Sequence, residues 1–476
     1  MSAELPIIIQ GGMGAGVSNW RLAQAVSRLG QLGVVSGTAL GHILSRRLQD
    51  GDSEGHIRRA LAHFPFQRVA RRILDAHFIP GGRKDKAPYH ATPMHSIDDD
   101  PLTQELSILG NFVEVFLARE GHANPVGINY LEKIQLPHLS SLYGAMLAGV
   151  TVVIVGAGIP LEFPVALAAL AMHQPATYAV HVSGLAAGEA CRVTFDPALF
   201  QDPGLALPAL LRPKFFPIVS SDALAAILNK RIKGLIDGFI IEGPLAGGHN
   251  APPRGPLKLT ADGQPIYGPR DEVSLAAVRE LGLPFWLAGS YGSPDRLREA
   301  RAAGAAGVQV GTPFALCVES GLTPEIRRAL IQKALAGDAS VFTDPLASPT
   351  GFPFKVANLA GTLSNGKLYH NRQRLCDLGF LREAYRREDG TIGYRCPAEP
   401  EVAFIAKGGK AADTTGRKCL CNALIANVGM PQQLANGSTE KPLITLGDDF
   451  AGIGRFCTPD HLDFTAADVI RILLGA

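Results

Sequence analysis

Residues 285–314 read FWLAGSYGSPDRLREARAAGAAGVQVGTPF, and this stretch decides the fold. Two short apolar runs, PFWLA (284–288) and GVQVG (307–311), each end in glycine, and SPDRLREARAAG (293–304) lies between them. Runs apolar throughout suit strands covered on both faces, the habit of parallel sheets. The middle segment offers Ser293 as an N-cap and Pro294 at the first helical position, which marks a crossover helix. The same grammar recurs at PIIIQ (6–10), GVVSG (33–37), PVGIN (125–129), TVVIV (151–155), FFPIVS (215–220) and GFIIE (238–242). Eight such units predict an α/β fold, a closed TIM (β/α)8 barrel, over its rival, an open doubly wound sheet. YAVHVSG to RVTF (178–195) reads as a hairpin inserted after the fourth unit.

Two regions exceed a minimal barrel. Between the second and third strands, 42–124 reads as a helical insertion. It carries the basic amphipathic stretch 55–78, the turn GGRKDKAP, and a further helix near 101–120. Its arginines read as a solvated face or as a grip on a phosphorylated ligand or partner. Beyond 340 the alternation stops, so the expected organisation is a barrel from 1–41 and 125–340 and a C-terminal extension over 341–476, with DPLASPTGFPFKV (344–356) extended.

Composition narrows the function classes. Of 476 residues, 46% are hydrophobic and 18% charged, and Lys+Arg (45) nearly cancel Asp+Glu (43). No overall field recruits nucleic acid or an anionic membrane. MSAELPIIIQ lacks the basic and apolar regions of a signal peptide, and the apolar stretches are broken by Gly and Pro. With seven scattered cysteines, a reducing, cytoplasmic setting is expected.

Barrel ligands sit at the C-terminal ends of the strands. There the chain places QGGMGAG, NYL, GPLAGGHN, AGS and GTPF. The turns after the seventh and eighth strands have the form of a phosphate cradle. QGGMGAGVS lacks the G-x-G-x-x-G spacing of a dinucleotide fingerprint. In IIEGPLAGGHNAPPRG (240–255), a lone histidine follows two glycines and precedes stiffening prolines.

PIIIQGGMGAGVS, GINYL, IIEGPLAGGHN, the 285–314 stretch and SPTGFPFKV together resemble the FMN-dependent nitronate monooxygenase family, formerly 2-nitropropane dioxygenases. Its relatives include FMN-dependent enoyl-acyl-carrier-protein reductases. The resemblance spans residues 5–40 and 125–356. It implies noncovalent FMN, with phosphate contacts at Ala288, Gly289, Ser290, Gly311 and Thr312. Ring contacts fall at Met13, Gly14 and Asn129, beside the Gly247–Gly248 turn, and the family's catalytic histidine falls on His249. Glu242 stands where many relatives carry Gln and is expected to present a carboxylate to the flavin; Arg254 is available to an anionic group. A neutral imidazole at His249 would take a carbon-bound proton or bond a nitro oxygen; the alternative is a histidine bonded only within its turn. The leading reading is a nitronate monooxygenase that oxidises alkyl nitronates with O2; the alternatives are NAD(P)H-dependent reduction of enoyl thioesters or quinones and a non-catalytic flavin-binding scaffold. The expected partners are a small-molecule substrate with O2 or NAD(P)H, and no nucleic acid or membrane; a homo-oligomer is left open.

Cys376, Cys396, Cys419 and Cys421 cluster in the extension. Four thiolates suit tetrahedral zinc, the basic RKCLCN context suits a redox pair, and ordinary thiols are the third reading. C-x-C lacks the usual knuckle spacing, so no metal is expected.

Overall fold

Each of the eight apolar runs forms a strand: β1 (Ile8–Gln10), β2 (Gly33–Ser36), β3 (Val126–Leu131), β4 (Val152–Gly156), β5 (Lys214–Val219), β6 (Phe239–Glu242), β7 (Phe285–Ala288) and β8 (Gly307–Val310). In this computed structural model, residues 5–84, 87–98, 100–434 and 436–475 are described. The reading of Met1–Glu4 as no leader, and Asp85 and Lys86 of the GGRKDKAP turn, lie outside them.

The strands are all parallel, in the order β1-β8-β7-β6-β5-β4-β3-β2. Register is set by pairs such as Leu287↔Val308 and Ile9↔Gln309. A bridge between Ile9 and Leu32 closes the seam, with Gln10 N–H on Leu32 O at 2.9 Å. Alternate residues face inward, and Ile9, Val34, Ile154, Phe216, Ile240 and Trp286 fill the barrel. The outward set, including Ile8, Val35, Val153, Phe215, Ile241, Leu287 and Val308, lies under the helices. This two-sided burial is why the strands read as unbroken apolar runs. Trp286 stacks on Phe216 (centroids 4.9 Å apart), and its indole N–H donates to Pro6 O at 2.8 Å.

The surrounding ring consists of α1 (Trp20–Arg28), α2 (Pro101–Arg119), α3 (His138–Leu147), α4 (Phe163–Ala171), α5 (Asp222–Arg231), α6 (Leu275–Glu280), α7 (Pro294–Ala302) and α8 (Ala466–Leu474). Ser293 does cap α7, accepting from the Arg296 N–H. Packing of α1 on α2, of α2 on α3, and of α8 on both α7 and α1 makes two assignments that run length does not reveal. Within the span 42–124, α2 is the crossover helix of the second unit, most of it buried. The eighth ring position is filled by α8, from the far end of the extension.

Between Gln49 and Pro101 lie helices His56–Ala62 and Gln67–His77. Their arginines are largely paired with the chain's own acids: Arg58–Asp52, Arg59–Glu120, Arg68–Asp202 and Arg72–Glu105. That leaves little of this face for a phosphorylated ligand. The expected hairpin is present, Ala176–Val180 antiparallel to Cys191–Phe195. In the extension, Val341–Asp344 pairs antiparallel with Phe354–Ala357. Among the described residues, no helix is long and apolar enough to cross a membrane.

Candidate functional site

At the C-terminal ends of the strands lies a cavity of about 370 Å³, within the size range of small-molecule sites. The twelve residues expected from the resemblance to meet flavin or substrate line it: Met13, Gly14, Asn129, Glu242, Gly247, Gly248, His249, Ala288, Gly289, Ser290, Gly311 and Thr312. Strand ends converge on the barrel axis, so loops far apart in sequence meet there.

The turn after β1 lies against Asn129. A Cβ at Gly12 would stand 1.9 Å from Asn129 Oδ1, so only glycine permits the approach. That Oδ1 is buried without a hydrogen-bond partner, an acceptor left to a ligand on the cavity floor. After β7, Gly289 (φ +98°) and Ser290 (φ +59°) both adopt left-handed backbone. For serine this costs of order 1 kcal/mol, strain of the kind that collects at ligand sites.

His249 forms an isolated antiparallel bridge with Phe354 and packs edge-on against its ring, centroids 4.9 Å apart. Its Nε2 is 2.7 Å from Ser348 Oγ, which is 2.8 Å from Thr350 Oγ1. Burial pushes the imidazole down to about 4, so it is neutral near pH 7 and a weak base. Glu242, in register with Ala288 at the strand end, is half-buried with its open side on the cavity. Burial pushes its carboxyl up to about 8. Desolvation penalises the charge, which favours the neutral acid over the carboxylate near pH 7. Arg254 lines the mouth, with one guanidinium N–H on Ser220 O at 3.3 Å.

Sequence reading missed the wall supplied by the extension. Residues 445–449 cross the mouth: Thr445 Oγ1 accepts from Gly248 N–H (2.8 Å), and Gly447 N–H donates to Thr312 Oγ1 (2.9 Å). Asp448 N–H donates to Leu245 O (3.0 Å), and its carboxylate pairs with Lys355 Nζ (2.7 Å). Asp449 lines the cavity with its side chain hydrogen-bonded to Thr312, and burial pushes its carboxyl up. Phe352 and Phe354 complete this wall, with Ser348 buried behind His249. TLGDD (445–449) has no periodicity and no motif, and nothing local marks it as part of a site.

Among solved structures, the chain is similar to FabK from Thermotoga maritima, with 17% identity, 100% of this chain and 93% of that one covered, and a TM-score of 0.49. It is similar to a nitroalkane oxidase from Streptomyces ansochromogenes (16%, 99% and 96%, 0.48). A third is the enoyl reductase domain of MlnA from the macrolactin biosynthesis cluster of Bacillus amyloliquefaciens (13%, 99% and 94%, 0.46). No family model and no curated protein matches the chain.

Proposed function

We propose that the chain is an FMN-dependent oxidoreductase that uses NAD(P)H to reduce an activated carbon–carbon double bond, of the enoyl-thioester kind. The observation that carries this reading is that one cavity holds both Glu242 and His249, an acid that burial pushes up and an imidazole that burial pushes down. With its carboxyl pushed up to about 8, Glu242 can serve as a proton donor at pH 7. His249 is too weak a base to remove a proton from carbon readily.

The residues fit the cofactor at its ring end. Asn129 offers an unpartnered acceptor, and the glycine turns at Gly12–Gly14 and Gly247–Gly248 allow a flat ring to lie close to backbone. At the phosphate end, Gly289, Ser290, Gly311 and Thr312 form the cradle, and Asp449 shares it. A carboxyl pushed up by burial is tolerable beside an anion only while it holds its proton. When bound, FMN supplies hydride exchange between the nicotinamide and the acceptor.

The protein's part is then to place and protonate. Glu242 gives its proton to the acceptor's α-carbon. His249, fixed through Nε2 by Ser348, bonds and orients the acceptor's carbonyl. Phe352 and Phe354 close the wall against water, and Arg254 meets an anionic group at the mouth.

A second reading, nitronate oxidation with O2, keeps the same ring site and draws support from His249 as a hydrogen-bonding partner of a nitro group. Anaerobic mixing separates the two. Prompt bleaching of bound flavin by NADH or NADPH is the expected result; bleaching by a nitronate alone would replace the proposal with the oxidase. Bound flavin that neither reagent reduces would leave a non-catalytic scaffold.

A further inference from the structure

One flank of the barrel is apolar where it meets water. Helix α4, Phe163–Ala171, reads FPVALAALA, without one polar side chain. A helix apolar all round is ordinarily covered on every side. Here the barrel covers one side only. Val165, Ala168 and Met172, three and four residues apart and so on one face, remain exposed.

The connection that follows the inserted hairpin continues this surface. PGLALPALL (203–211) also carries no polar side chain, and seven of its nine residues are exposed. His173 Nε2 lies 2.9 Å from Pro208 O, which holds the segment beside the end of α4. Arg212 pairs with Asp237 at 2.9 Å, and the neighbouring Leu211 faces water. On the other side, α3 packs on α4 and α5 on α6, whereas α4 and α5 hardly touch. Ala223, Ala226 and Ile227, exposed on α5, extend the apolar surface across that gap.

This concentration is not shared by the rest of the molecule. Among the described residues, four of the five most exposed large apolar side chains are Leu211 (87%), Met172 (71%), Leu199 (69%) and Val165 (60%). With Leu205, Leu207 and Ile227 they leave on the order of 800 Å² in water, about what each partner buries in a standard stable interface. Monomers rarely expose so much apolar surface in one place.

We propose that this flank is the interface between two copies of the chain, joined face to face about a twofold axis. Such a contact sets a patch against itself, so a charge near the axis meets its like. Neither α4 nor 203–211 carries a charge. Charges begin at the edge, where Glu162 pairs with Arg192 and Asp202 with Arg68 inside the chain, and Lys230 and Arg231 end α5. A different protein would be selected by complementary charge in the patch, and the patch offers none. The 203–211 segment leads into the start of β5, at the barrel end opposite the cavity, so pairing here leaves both mouths open.

The test uses the full chain. Sedimentation and light scattering should give twice the mass of one chain, and the thermal midpoint should rise with protein concentration. Met172→Glu/Leu211→Glu should raise the dissociation constant at least about 10²-fold, as for unpaired charges buried in a contact. Both side chains are exposed in the single chain, so far-UV circular dichroism of the variant should match that of the unaltered protein. Val402→Glu, at an equally exposed apolar site in the extension (82%), should leave the dimer intact. A single-chain mass at every concentration would overturn the self-contact and leave the face to a different protein. A dimer that survives Met172→Glu/Leu211→Glu, or one lost equally in Val402→Glu, would overturn the placement on this flank.

Discussion

The two walls of the cavity are made differently. On the barrel side, β1, β3, β6, β7 and β8 deliver glycine turns and, with them, the side chains of Asn129, Glu242 and His249, at places that follow from the strand ends. The extension delivers the side chains of Phe352, Phe354, Thr445 and Asp449, and Ser348 behind His249, over sequence separations such as 99 residues for His249–Ser348. On the proposed function, the barrel side holds the groups that meet the ligand and move the proton, while the extension trims position and affinity. Substitutions on the barrel side should therefore cost more.

The largest effect is expected from Glu242→Gln. Loss of a placed general acid should lower kcat roughly 10²- to 10⁴-fold. In the unaltered protein the acid form is favoured below about 8, so kcat should hold as pH approaches 8 and fall above it. The Gln variant should lose that alkaline limb, read from steady-state rates across pH. Gly311→Asp comes next. A Cβ there would stand 3.5 Å from Met13 Sδ, ordinary contact, so added charge rather than a clash is what is tested. Flavin affinity should drop roughly 10²-fold, as for an unpaired buried charge, by fluorescence titration with FMN.

On the extension side, Ser348→Ala should lower kcat/KM about tenfold with flavin affinity unchanged, the scale of one buried partner lost. Ser348→Thr should recover most of that loss. The smallest effect is expected from Asp449→Asn, which removes an ionisable group beside the cradle while keeping a polar partner for Thr312; FMN should bind a few-fold tighter, most visibly at high pH. If Ser348→Ala proved as costly as Glu242→Gln, or Asp449→Asn loosened FMN, the division between the walls would break.

The same division explains what is legible in the sequence. Eight strands can be read because each carries its signal locally, as an apolar run closed by glycine. Site positions on the barrel follow because strand ends meet on one axis. The helix α2 hides inside a longer helical span, since periodicity shows a helix but not its neighbour. Ser348 and 445–449 act through single hydrogen bonds across long separations, which leave no pattern. The protonation of Glu242 escapes a sequence reading for a related reason: residue type shows a carboxylate, and only the surrounding protein shows that its charge is unsolvated.

The closing of the ring by α8 also has a meaning in time. A ribosome makes β1 and α1 first, but α8, the helix that packs between α7 and α1, begins only at Ala466. Until then α1 lacks one of its ring neighbours, and the more than 400 residues separating the two helices make their docking an encounter of very high sequence separation. Such contacts form late, after slow loop closure. Arrest of synthesis before residue 466 should leave nascent chains whose N-terminal strands are readily cut by protease, and completion should protect them.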